Sequence, residues 1–146
     1  MLQQFKELYT TPSIASRIAI GKTVGLIIGL IAFICLPRVW EGSTPMLQWG
    51  ILLWYTSIGA FIGMFAEMKQ IPILNLPLTW WFGGAWVGLW MNFILTLFAY
   101  DTFANMMGQV FDGYFAGYSP FWFALEGAVI GLIIAFFVHK YGGEDA

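Results

Sequence analysis

The sequence predicts an all-α polytopic membrane protein whose four transmembrane helices pack through glycine-rich faces. Three observations carry this reading. Four apolar stretches are each long enough to cross a hydrocarbon core of roughly 30 Å. Each holds two glycines four residues apart, the small-xxx-small spacing that lets helix backbones approach in lipid. The six prolines fall outside the stretches, where they mark turns. With 60% hydrophobic and 10% charged residues in 146, a soluble domain would leave too much apolar surface in water, so membrane lipid is the expected surrounding.

Taken in order, residues 1–9 form a surface helix with Leu2, Phe5, Leu8 and Tyr9 on one face, before Thr11-Pro12 opens the first span. The spans are drawn at 18–36, 47–66, 78–100 and 121–138. Between the last two, residues 101–113 repeat Phe103, Met106, Met107, Val110 and Phe111 at helical spacing between Asp101 and Asp112, which predicts a second interfacial helix. The first span reads as an uncleaved anchor, because Leu36-Pro37-Arg38-Val39-Trp40 follows it where a small-x-small site would be needed for cleavage. Cys35 near its end is the one cysteine, is expected to pack, and allows no intrachain disulfide.

Lys6, Arg17, Lys22, Lys69 and Lys140 fall at or near the end that carries both termini, against Arg38 at the other. The positive-inside rule therefore puts both termini in the cytoplasm of a bacterial-type inner membrane. Trp40, Trp49 and Trp122 are expected at the outer headgroup layer and Trp80 and Trp81 at the inner one. The net charge of −2 and scattered basic residues exclude a polybasic track for nucleic acid.

The glycine pairs are Gly21 and Gly25, Gly59 and Gly63, Gly84 and Gly88, and Gly127 and Gly131. Aligning the first hairpin with the second sets the Gly21 and Gly84 motifs together and the Gly59 and Gly127 motifs together, so the hairpins read as duplicated about an axis along the membrane normal. At 1.5 Å rise per residue, all eight glycines fall roughly 5 to 16 Å from the inner boundary and form one layer. The stripes continue into polar residues, as in Gly84, Gly88, Asn92 and Thr96. Phe82, Trp86 and Trp90 occupy the opposite side of that third helix, a face expected to meet lipid or another subunit.

Glu126 leads the candidate site, because a carboxylate inside a span costs several kcal/mol unless partnered, protonated or hydrated. Helix rise sets Glu126 and Asn92 at a common depth of roughly 17 to 21 Å, with Tyr55, Thr56 and Ser57 near the same level. Two readings are open: Glu126 binds a cation or exchanges a proton on a solute path, or it makes a structural interhelical hydrogen bond. Lys22 lies close enough to the boundary to snorkel out, and His139 closes the last helix where a cation is favourable.

One histidine and one cysteine cannot supply a typical zinc set, bis-histidine haem ligation or a Cys-His nucleophile pair, so no metal, no cofactor and no enzymatic activity are expected. The glycines lie inside spans rather than after strands, which rejects a phosphate-binding loop. The sequence thus points to an accessory or assembly subunit that acts through close helix packing. The alternative is a homo-oligomeric channel or proton-coupled carrier for a small ion or solute using Glu126 and Asn92.

Overall fold

The computed structural model describes residues 14–66, 79–110 and 119–142. The expected helix over 1–9, Lys6, Lys69 and the last residues of the expected 101–113 helix lie outside them. The described residues form five helices, α1 (Ile14–Val39), α2 (Pro45–Phe65), α3 (Trp80–Phe98), α4 (Tyr100–Val110) and α5 (Trp122–Tyr141). Four of these, α1, α2, α3 and α5, are long and apolar enough to cross a membrane, with 26, 21, 19 and 20 residues. At 1.5 Å per residue these lengths correspond to about 29 to 39 Å. The protein is an all-helical membrane protein.

Local chemistry explains most boundaries. Thr44 caps α2 by accepting the Leu47 amide at 3.2 Å, and Pro45 occupies the first turn, where its missing N–H leaves no bond unmade. Before α5, the Ser119 hydroxyl accepts the Phe121 amide at 3.3 Å and the Ser119 carbonyl accepts the Trp122 amide at 3.1 Å. Beyond α5, the Gly142 amide closes onto the Val138 carbonyl at 2.7 Å.

Four expectations need correction. Pro37 lies inside α1, not in a turn after it. It falls in the final turn, where losing one intrahelical bond and pushing on one preceding carbonyl can be absorbed near the frayed end. The third span, drawn to residue 100, ends at Phe98. Ala99 leaves helical geometry at φ −120° and ψ 33°, and α4 starts at once in a new direction. Trp40, assigned to the headgroup layer, is instead 6% exposed and packed into the protein. Cys35, expected to pack, is exposed.

The bundle is two antiparallel hairpins side by side. α1 packs chiefly on α2 and α3 chiefly on α5, with smaller contacts between the pairs. Ile58 and Ile134 are wholly buried where the hairpins meet, and Val138 nearly so. α4 folds back over the end opposite the termini, sinking Phe103 to 1% exposure, with its ring 4.3 Å from Phe123. An interfacial helix was expected there. The apolar face of α4 meets the bundle because Phe103 fills the space above Phe123.

Glycines set the spacing within each hairpin. A Cβ on Gly21 would overlap the Gly59 carbonyl, one on Gly25 the Tyr55 carbonyl, and one on Gly63 the Arg17 carbonyl. In the second hairpin Gly88 faces the Gly127 carbonyl, and Gly84 faces that of Gly131 at 2.5 Å. The obstructing atoms are backbone, joined at Gly84 by the Ala135 Cβ, so no rotamer change could relieve a substitution. The two hairpins use their motifs in different registers. Leading glycines meet in the first (Gly21 with Gly59), whereas leading meets trailing in the second (Gly84 with Gly131), a displacement of one helical turn. This contact geometry does not reproduce the expected duplication.

Candidate functional site

The polar residues picked from helix depth come together where the glycine contacts end. Asn92 continues the Gly84 and Gly88 stripe of α3 and is wholly buried. Its position depends on Gly127, because a Cβ there would lie 2.8 Å from the Asn92 Cβ and Cγ. Tyr55 is 4% exposed on α2, one turn from Gly59, with its backbone against Gly25. In both hairpins a glycine opens the gap that admits the polar residue.

Hydrogen bonds then link the hairpins. The Trp54 Nε1 donates to Asn92 Oδ1 at 3.0 Å, and Asn92 Nδ2 donates to the Phe123 carbonyl of α5 at 3.0 Å. The Tyr55 hydroxyl lies within hydrogen-bonding reach of both Asn92 and Glu126. A carboxylate only accepts, and the Asn92 Oδ1 already receives Trp54. With Glu126 ionised, the donor inventory would order the chain as indole to amide oxygen, amide NH to phenol oxygen, and phenol O–H to carboxylate. Bonds aligned in that way would polarise one another.

Glu126 is exposed on the flank of α5 although it meets Tyr55. It thus combines a protein donor with an open side. Thr56 and Ser57, set at the same level by the sequence, instead donate to the Leu52 and Leu53 carbonyls of their own helix, each at 2.8 Å. Thr96 likewise bonds back to the Asn92 carbonyl at 2.8 Å. These bonds satisfy the hydroxyls within one helix and leave them outside the interhelical chain.

The sequence reading missed Trp54. Its signal was present, because Trp54 shares a helix face with Leu47, Ile51 and Ile58, and a tryptophan turned into a bundle needs an acceptor. Arg17, counted from the sequence as a positive charge at the terminal end, is 2% exposed, with its Cγ in the space that Gly142 leaves open. Lys22 is exposed, as snorkelling requires, and His139 stacks on Trp80 at 5.0 Å and 10°.

The aromatic face forms a continuous stack. Phe82 and Trp86 lie 6.3 Å apart at 12°, Trp86 and Trp90 5.9 Å apart at 11°, and Trp90 and Phe93 5.9 Å apart at 28°. Phe121 from α5 continues it, 5.6 Å from Phe93. Phe82, Trp86 and Trp90 are 41%, 52% and 48% exposed, so roughly half of each ring is open to the surroundings. Among the described residues, no three His, Cys, Asp or Glu side chains gather as a metal site. Comparison with protein-family models, curated proteins and solved structures returns no match, so a functional reading rests on this chain's own geometry.

Proposed function

We propose that this chain is a non-catalytic accessory or assembly subunit of a membrane complex, and that a transmembrane helix of a partner subunit lies along the Phe82, Trp86 and Trp90 face. The observation that carries the reading is the exposed stack. Mutual stacking holds these rings in place before contact, so a partner helix would bury large aromatic area with little loss of side-chain freedom. The stack from Phe82 to Phe93 covers about 16 Å of α3, enough for about three turns of a crossing helix. The glycine contacts favour the same reading, since backbone against backbone leaves no space for a solute within either hairpin.

The supporting test is a Trp86→Ala, Trp90→Ala double variant expressed at native level. It should retain its fold and its place in the membrane but lose its co-purifying partner. Unchanged co-purification would remove this face from the assembly.

A second reading, a homo-oligomeric channel or proton-coupled carrier, is favoured by one observation: Glu126 meets Tyr55 and keeps an open flank. On this reading a second copy covers Glu126, and the solute path runs at the subunit boundary. Loss of flux in reconstituted Glu126→Gln that remains folded would support it, and normal flux would remove Glu126 from the path.

The termini are proposed to be cytoplasmic. In support, Arg17, Lys22 and Lys140 sit at the terminal end, whereas Arg38, Glu41 and Asp101 lie at the other. A carboxy-terminal reporter active only in the cytoplasm tests this.

A further inference from the structure

At the end opposite the termini, an open cavity of about 880 Å³ lies between the α1–α2 connection, the start of α2, the end of α3 and α4. It falls within the size of pockets that hold drug-sized molecules. The lining is divided. Leu47, Ile51, Leu95 and Phe103 form an apolar wall, and Thr102, Asn105 and Gln109 bring a polar edge from α4. The floor includes Trp54, whose indole N–H is already engaged by Asn92.

Two features define what could fill it. The first is that, among the described residues, no Asp, Glu, Lys or Arg lines the cavity, while Glu41 and Asp101 stand exposed just beside lining residues. An anion would meet like charge and no cation. The second is Trp40, which lines the cavity at 6% exposure and whose Nε1 is buried with no hydrogen-bond partner. Buried indole donors ordinarily find an acceptor. A Cβ on Gly42 would lie 2.8 Å from Nε1, so the Gly42 turn packs beside the indole. Use of this donor by a ligand would require that turn to shift.

We infer that this cavity binds an uncharged amphiphile carrying a carbonyl. The carbonyl oxygen accepts from Trp40 Nε1, other polar atoms meet Thr102, Asn105 and Gln109, and the apolar body lies on Leu47, Ile51, Leu95 and Phe103. Carbonyls of this kind occur in two membrane-soluble classes, the ester groups of a diacylglycerol and the ring oxygens of an isoprenoid quinone. The site shares no residue with the aromatic face and does not include Glu126, and it meets the polar chain at Trp54.

Gly50 supplies the decisive variant. It lines the cavity, and a Cβ added there meets nothing within 4 Å. Gly50→Phe therefore fills the cavity from an unobstructed helix position, while Trp40→Phe keeps the ring and removes only the donor. The full chain is reconstituted in phosphatidylcholine vesicles with a photoactivatable diacylglycerol, a photoactivatable benzoquinone with an isoprenoid tail, or a photoactivatable phosphatidylglycerol. Labelled peptides are then mapped by mass spectrometry.

The expected result is saturable labelling of α2 and α4 lining residues by one of the two neutral probes, competed by its unlabelled form. Labelling should fall at least tenfold in Gly50→Phe and about five- to tenfold in Trp40→Phe, with the anionic probe giving only non-saturable background. The neutral probe that saturates identifies the source. The inference is overturned if neither neutral probe saturates, if the anionic probe labels equally, or if labelling survives in folded Gly50→Phe. Should Gly50→Phe not fold, an undiminished signal in Trp40→Phe overturns it instead.

Discussion

The sharpest stability prediction concerns Gly88→Ala. The added methyl would overlap the Gly127 carbonyl oxygen and stand 2.8 Å from the Gly127 carbonyl carbon and 3.1 Å from Gly131 Cα. Carbon atoms rest at about 3.5 to 4.0 Å, so α3 and α5 must separate by at least about 0.7 Å. A gap of that size forfeits roughly a quarter to a half of each dispersion contact along the seam. Overpacking of this kind costs about 1 to 3 kcal/mol, and the better helix propensity of alanine returns up to about 1 kcal/mol.

Taking the middle of the overpacking range, about 2 kcal/mol, the net loss is about 1 to 2 kcal/mol, or a fall in midpoint of about 2 to 8 °C for a chain of this size. Separation would also stretch the bond from Asn92 Nδ2 to the Phe123 carbonyl, because Asn92 packs directly against Gly127. Unfolding in mixed micelles, followed by helicity, measures the change. Gly50→Ala is the control, since its methyl meets nothing within 4 Å. It should be neutral or stabilising by about 0.5 to 1 kcal/mol. Equal midpoints for the two alanine variants would refute the claim that backbone contact between α3 and α5 requires glycine.

Other outcomes follow from the polar chain. Asn92→Leu removes the bonds to Trp54 and Phe123, and interhelical bonds in membranes average about 0.6 kcal/mol, so its unfolding free energy should fall by about 1 to 2 kcal/mol. In a double-mutant cycle, Trp54→Phe and Asn92→Leu should couple by roughly 0.6 kcal/mol, and strict additivity would deny the bond seen at 3.0 Å. Tyr55→Phe should shift the infrared carboxyl band that is assigned to Glu126 by its loss in Glu126→Gln. An unmoved band would mean the phenol does not donate to the carboxylate. Thr44→Ala should lower stability by about 1 kcal/mol through loss of the α2 cap, read from the same unfolding curves.

Much of this arrangement was legible in the sequence because two periodicities are simple. Glycine at every fourth position marks one face of a helix, and rise per residue converts position to depth. Together they set Tyr55, Asn92 and Glu126 at one level, and the structure brings those three side chains together. Depth alone does not reveal azimuth. Thr56 and Ser57 share the level but point to their own helix carbonyls, whereas Trp54 points inward and was overlooked.

Register between helices was likewise hidden. The four glycine motifs look interchangeable along the chain, yet the second hairpin is displaced by a turn relative to the first. The clash that decides register lies between partners, at Gly63 against the Arg17 carbonyl and at Gly127 against Asn92. The burial of Arg17 and Trp40 was hidden for a related reason. Neighbouring glycines, Gly142 and Gly42, let the chain close over them.

The most direct test of the proposed role is gentle purification from native membranes at native expression, with particle mass and every co-purifying chain recorded for wild type and for Trp86→Ala, Trp90→Ala. The account predicts a stoichiometric foreign membrane subunit with the wild type and its loss from the folded double variant. A homogeneous assembly of this chain alone, unaltered by the two substitutions, would contradict the account.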